Sequence, residues 1–274
     1  MANDPKLVAR NALRGKRIAL SVSESDDLVR LGLGSAHLEL AVAELTRAIV
    51  LAGGVVVYGG RIGWGFTSIV LDEAERYGSP GGAFDHYVPY TEHFGVAQAD
   101  LEAYAIGLSV KARVWLIDAT GAAREVADAS DDSFARGEVD PSDALTAMRK
   151  VTSEVSDARV VLGGKVAGFA GRSPGVAEEA ALTAANEKPL YIAGGFGGAA
   201  TLFGRLAHPD LYRWLPGELP AGVTPEVEAS VSDLLPDQFV EDGLTTDDRA
   251  LLAQTNRPAD VATLSILGLS KLSG

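Results

Sequence analysis

RIALSVS (Arg17–Ser23) and HLELAVAELTRAIVLAGGVVVYGG (His37–Gly60) read as strand, helix and strand in close succession. The first run is short, apolar and bounded by polar residues, the mark of a strand buried on both faces. Leu38, Ala41, Val42, Leu45, Ile49 and Val50 recur at helical spacing, and Gly53–Gly54 stop the helix. Val55–Gly60 is apolar again and runs into glycine. Working outward, GFTSIVLDEAERYG (Gly65–Gly78) predicts a second helix, while DHYVPY and RVWLID predict strands near Val88 and over Arg113–Asp118. Arg124–Asp143 is acidic and reads as an exposed loop or irregular helix. A helix after Pro141, a strand at Ala158–Gly164, a helix in VAEEAALTAANEK, a strand at Pro189–Gly195 and a helix in GGAATLFGRL continue the alternation. Apolar strands alternating with helices predict an α/β fold, a doubly wound, mainly parallel sheet covered on both faces. The expected organisation is a single domain over 17–274 with irregular insertions, behind an N-terminal extension at 1–16. Residues 208–245 turn to proline and acid and are expected as an irregular surface excursion, before a closing helix at 260–272.

The chain has 274 residues, 47% hydrophobic and 22% charged, which suits a sizeable core and not a disordered chain. Lys plus Arg number 24 against 37 Asp plus Glu, a formal net charge of −13. Such a field repels nucleic acid and anionic membrane, so neither is expected as a partner. With no cysteine, disulfides, thiolate catalysis and Cys-ligated metals are excluded. MANDPKLVARN carries no apolar leader region and no stretch reaches ~18 apolar residues, so a cytoplasmic setting is expected. The histidines, His37, His86, His93 and His208, form no HxxxH or HExxH pattern, and no metal is expected. The Asp128–Asp132 cluster reads as a solvated acidic face.

The 31 glycines gather in particular turns. In an open parallel sheet, ligands bind beyond the carboxyl ends of the strands. Four turns fall at that edge: Ser21–Ser25, YGGRIGWGFT (Tyr58–Thr67), LGGKVAGFAGRSPGVAEE (Leu162–Glu179) and IAGGFGGAAT (Ile192–Thr201). Glycine lets backbone amides approach an anion, and a following helix start adds partial positive charge. A phosphorylated ligand is therefore expected, with tight structural turns as the plainer alternative. The amides of Gly59, Gly60, Gly163, Gly164, Gly194, Gly195 and Gly197 are the phosphate candidates. Arg61, Lys165 and Arg172 are either phosphate contacts or solvated charges, and Ser21, Ser23 and Ser25 either hydroxyl donors or turn residues. Trp64, Phe66 and Phe196 adjoin these turns, to stack on a base or to plug the core. No GxxxxGK[ST] occurs, which excludes P-loop hydrolysis, and no strict GxGxxG follows the first strand.

Together, IALSVSES, HLELAVAELTRAIVLAGGVVVYGG followed by GFT, and VVLGGKVAGFAGRSPGVAEEAALTAANEKPLYIAGGFGG resemble the SLOG superfamily. That superfamily joins Smf/DprA-type proteins to the Lonely Guy phosphoribohydrolases. The likeness covers most of Arg17–Gly198 and is in particular to the SLOG sensor module of Thoeris-type antiphage effectors. It implies a Rossmann-like fold and a nucleotide ligand similar to cyclic ADP-ribose, made by a TIR-domain enzyme, with no further cofactor. It also implies output through association between copies, as a homo-oligomer, or through a separate effector. Lonely Guy enzymes carry an Arg-Lys pair and a PGGxGTxxE turn, and release a base from a nucleoside 5′-monophosphate. Met148-Arg149-Lys150 resembles the pair, and Gly163-Gly164 with Gly175–Glu179 resembles the two ends of the turn. Lys165–Pro174 is inserted between those ends, and Val176 stands at the family's threonine. By this resemblance Glu179 accepts hydrogen bonds from a ribose diol and Arg149 holds phosphate. In the alternative, N-glycosidic hydrolysis, Arg149 and Glu179 are catalytic and Glu179 stabilises a ribosyl cation.

Overall fold

A computed structural model describes residues 8–63, 65–78, 82–108, 112–126, 137–215 and 219–272. Trp64 and the Asp128–Asp132 cluster lie outside the described residues. The strands are β1 (Arg17–Ser23), β2 (Val55–Gly59), β3 (Phe84–Val88), β4 (Ala112–Ile117), β5 (Ala123–Glu125), β6 (Ala158–Gly163) and β7 (Leu190–Ala193). They form one sheet in the order β5-β4-β3-β2-β1-β6-β7, parallel except where β5 pairs with β4. The helices are α1 (Asp27–Arg30), α2 (Ser35–Leu51), α3 (Phe66–Tyr77), α4 (Tyr90–His93), α5 (Gln98–Leu108) and α6 (Pro141–Val155). After them come α7 (Gly175–Ala185), α8 (Gly198–Ala207), α9 (Pro225–Ser232), α10 (Thr246–Gln254) and α11 (Pro258–Leu272). This is the doubly wound α/β fold expected from the alternation.

Strand alternation sends Ile18, Leu20, Val22, Val56, Phe84, Val160 and Leu162 into one core with the apolar sides of α2, α3 and α11. On the other face Ala19, Val57, Tyr87 and Ile117 meet Met148 of α6, while Val161 and Ile192 meet α7 and α8. Both faces are covered, which is why these strands carry apolar residues at nearly every position. Helix α6 starts where it does for local reasons. The Asp140 carboxylate accepts the Ser142 amide at 2.8 Å, and Pro141 has no N–H to leave unsatisfied.

Strands β2 to β4 build outward from one side of β1, and β6 and β7 from the other, so the order reverses between β1 and β6. In open parallel sheets a switch point of this kind is where turns diverge and a ligand crevice is expected, at the carboxyl ends of the strands. Elsewhere the structure is more regular than the sequence predicts. Helix α5 buries only Leu101, so it presents no periodic stripe to read. The segment 208–245, expected as irregular, holds a 3-10 turn at Pro209–Tyr212 and helix α9, capped by Thr224. Helix α10 follows it, capped by Thr245.

His86, on β3, is fully buried beneath the turn that ends β2. Its Nε2 lies 3.2 Å from the Gly60 carbonyl and its Nδ1 3.3 Å from the Tyr104 hydroxyl. A carbonyl only accepts, so Nε2 carries the proton and Nδ1 accepts from Tyr104. Burial lowers the ring's pKa from 6.5 to about 4, against the opposing pull of the Gly60 hydrogen bond. Between those values the unfolded chain holds a proton that the folded one lacks, so acid favours unfolding. Urea stability is expected to fall by about 2 kcal/mol from about pH 7 to about pH 5, and less steeply in His86→Gln.

Candidate functional site

At the end of β1, Ser23 stands opposite Gly163 of β6. Gly163 has φ +64, and a Cβ there would sit 2.6 Å from the Ser23 carbonyl oxygen, so only glycine permits this approach. The Gly164 amide donates to that same oxygen at 2.7 Å, and the Lys165 amide reaches Ser23 Oγ at 3.3 Å. Above this floor α7 begins at Gly175, with no side-chain cap, and carries Glu178 and Glu179 in buried positions.

Each of these carboxylates faces an arginine of its own. Arg149, from α6, lies across Gly175, where a Cβ would come 3.1 Å from Cζ. Its guanidinium donates to Glu178 and, at 3.4 Å, to the Ala170 carbonyl; Thr146 also donates to Glu178, at 2.7 Å. Arg159, from β6, lies 3.5 Å from Glu179 and is held by the hydroxyls of Ser21, Thr152, Ser153 and Thr183. Burial lowers its pKa, Glu179 opposes that shift and Arg149 adds to it. Tyr58, at the end of β2, senses the same carboxylate: burial first, then the Glu179 charge, raises its phenol. Sequence reading passed over both Tyr58 and Arg159. A phenol just before a strand-ending glycine pair, and a charge inside an apolar strand, were the available signals.

The other predicted residues divide. Gly59 backs onto Met148, whose sulfur would lie 2.7 Å from a Cβ. The Gly60 amide is taken by the Tyr87 carbonyl at 3.1 Å. Arg61 is exposed and paired with Glu92 at 3.4 Å, and Arg172 with Asp143 at 2.7 Å. Phe66 starts α3 and packs against the core. Lys150 and Lys165 are exposed, Lys165 at the crevice rim. Ser25 is buried beside the crevice, and its hydroxyl has no hydrogen-bond partner among the described residues. His37 is exposed, its Nδ1 accepting the Gly34 amide at 3.1 Å.

The glycine turn at Ile192–Thr201 serves the fold instead of the crevice. Gly194 and Gly195 lie against the carbonyls of Ala253 and Thr255, and Phe196 is fully buried in the core. Gly197 lies against the carboxylate of Asp27, which has no exposed surface. Asp27 accepts the Gly198 amide at 3.1 Å, the Ala221 amide at 3.0 Å and Arg30 at 2.5 Å. The Gly197 and Ala199 amides bond Gly194 and Gly164 carbonyls, both at 2.9 Å. The positive end of α8 thus already holds an anion. The Gly60, Gly164 and Gly197 amides are thus bonded within the fold, which corrects the expectation that they are bared to phosphate, and Phe196 has no face left for a base.

A family model described as SLOG cluster2 matches residues 12–245. The chain belongs to the SLOG family. No curated protein matches it. In this SLOG domain the matched span holds the switch point between β1 and β6 and both arginine–glutamate pairs. Among the described residues no His, Asp and Glu cluster could hold a metal ion, and no helix is long and apolar enough to cross a membrane.

Asp27→Ala removes the acceptor that joins α1, α8 and the 219–222 segment, leaving the buried Gly198 amide unmatched. It is expected to lower stability by about 3 kcal/mol in urea unfolding, with Asp27→Asn losing less.

Proposed function

We propose that this SLOG domain binds an ADP-ribose-type nucleotide in the crevice at the carboxyl ends of β1, β2 and β6, as a receiver of a signal. The observation carrying this reading is the state of its buried charges. Arg149 is engaged by Glu178 and Ala170, whereas Glu179 lies 3.5 Å from Arg159 and its charge raises the Tyr58 phenol. A hydrolase would need Arg149 free for its substrate's phosphate; a receptor needs the acceptor at Glu179 and local donors. Those donors are the uncapped start of α7, the Ser25 hydroxyl and Lys165. The ribose diol donates to Glu179 and the diphosphate lies toward the Ser23–Lys165 turn. Family likeness supports the wider setting: a cyclic ADP-ribose-like signal from a TIR-domain enzyme, read in the cytoplasm during antiphage defence. Its output is association between copies or engagement of a separate effector.

Thermal unfolding with ADP-ribose, its cyclic isomers, NAD and AMP tests the reading. A ligand at a hundredfold excess over its Kd is expected to add ~2.7 kcal/mol to apparent stability. Glu179→Gln is expected to weaken that ligand about tenfold, the loss of a charged acceptor. Release of free base from AMP, abolished in Glu179→Gln, would replace the receptor by a phosphoribohydrolase. No shift with any of the four would overturn nucleotide binding.

A further inference from the structure

Arg159 is only 1% exposed, a cation on a strand between two helices, and each edge of its guanidinium is occupied. Nε donates to Thr183 Oγ1 at 2.7 Å and Nη1 to Ser21 Oγ at 2.7 Å. Nη2 donates to Thr152 Oγ1 and Ser153 Oγ, both at 3.1 Å. These acceptors are neutral hydroxyls from β1, α6 and α7. They set the plane and position of the fork but leave its charge unbalanced. The balancing anion is Glu179, whose Oε1 lies 3.5 Å from Nη1.

Among the described residues, these charged or titratable groups surround the pair. β6 presents Arg159 and β2 presents Tyr58; α6 presents Arg149, itself paired with Glu178, the preceding residue of α7. β1 presents only the Ser21 hydroxyl, which bonds Arg159. A proton placed on Glu179 would therefore strand a buried guanidinium without a counter-charge, a state of high cost. We propose that Arg159 is the positioning residue of the crevice, holding Glu179 as a carboxylate that accepts hydrogen bonds from a ligand's vicinal diol and does not serve as a proton donor. The diol rests on the nucleotide reading above; the fixed ionisation of Glu179 does not. Because the pair is neutral as a whole, the group it receives is an uncharged hydroxyl pair. An amine or guanidinium would meet Arg159 as well as Glu179.

The ionisation can be read without ligand, from the side-chain carboxyl signals of the whole chain labelled with carbon-13 at glutamate. The Glu179 signal is assigned by its loss in Glu179→Gln. Its midpoint in the unsubstituted protein is the reference for the variants. In Arg159→Met its midpoint is expected to climb toward neutrality, because a buried carboxylate then lacks its cation. Arg159→Lys keeps the charge and is expected to keep the reference midpoint. A Glu179 that titrates near neutrality beside an intact Arg159, or a midpoint unmoved in Arg159→Met, overturns the proposal. Should Arg159→Met fail to fold, Arg159→Met/Glu179→Gln removes both charges and is expected to fold. A double variant no more stable than the single one overturns the pairing. ADP-ribose affinity, measured alongside, is expected to be flat with pH in the unsubstituted protein. In Arg159→Met it is expected to fall about tenfold from about pH 8 to about pH 5.5, as Glu179 takes a proton. If no nucleotide binds while Glu179 titrates as described, the nucleotide reading fails and the role of Arg159 stands.

Discussion

A cation buried beside a sheet must be matched by an anion, and in this chain that requirement ties α7 to β6. Arg159 reaches Glu179, and Arg149 reaches Glu178 one residue earlier on the same helix. Breaking one such buried pair from one side costs about 3–5 kcal/mol. That is a large part of the ~5–15 kcal/mol by which a domain is stable. The start of α7 can therefore neither rotate nor slide without unmatching a charge. Everything at the crevice inherits that rigidity: the turn at Gly163–Gly164, the loop held by Arg149 at Ala170, and the carboxylate whose charge raises the Tyr58 phenol.

Two helices begin beside the crevice, and they are treated oppositely. The start of α8 receives Asp27, a carboxylate with no exposed surface, and is closed to any other anion. The start of α7 has no side-chain cap, and its glutamates point to the arginines behind it. A helix start attracts negative charge by its dipole wherever it occurs. At α8 the acid comes from Asp27 of α1, while α7 carries its own in its first turn, Glu178, which Arg149 engages. The net charge of −13 bears on neither, since fixed amides and hydroxyls act over a few ångströms and a net charge acts over the whole surface.

The sheet was largely legible in the chain. Runs such as RIALSVS and VVVYGG are apolar throughout, and the helix between them carries Leu38, Ala41, Val42, Leu45 and Ile49 on one buried stripe. Helix α5 was not legible, because a helix that buries only Leu101 has no stripe. The three-residue strand β5 was too short to show a pattern. At the crevice, Gly163, Gly164, Gly175 and Glu179 were singled out by motif. Tyr58 and Arg159 were not, the first hidden in a strand end and the second reading as one polar letter in ARVVLGG.

The chain alone determined the alternation of strand and helix, the places where it turns on glycine, and the neighbourhood of Glu179. These depend on residues close in sequence, whose side-chain period and backbone freedom can be read in order. It did not distinguish the turn at Gly163 from the one at Gly194, since both are glycine-rich exits from apolar strands. Only the folded molecule did so, by setting Asp27 and the Thr255 carbonyl against the second and leaving the first beside a crevice. Charge pairing and close backbone approach are contacts between distant parts of the chain, and they exist only once the sheet has brought those parts together.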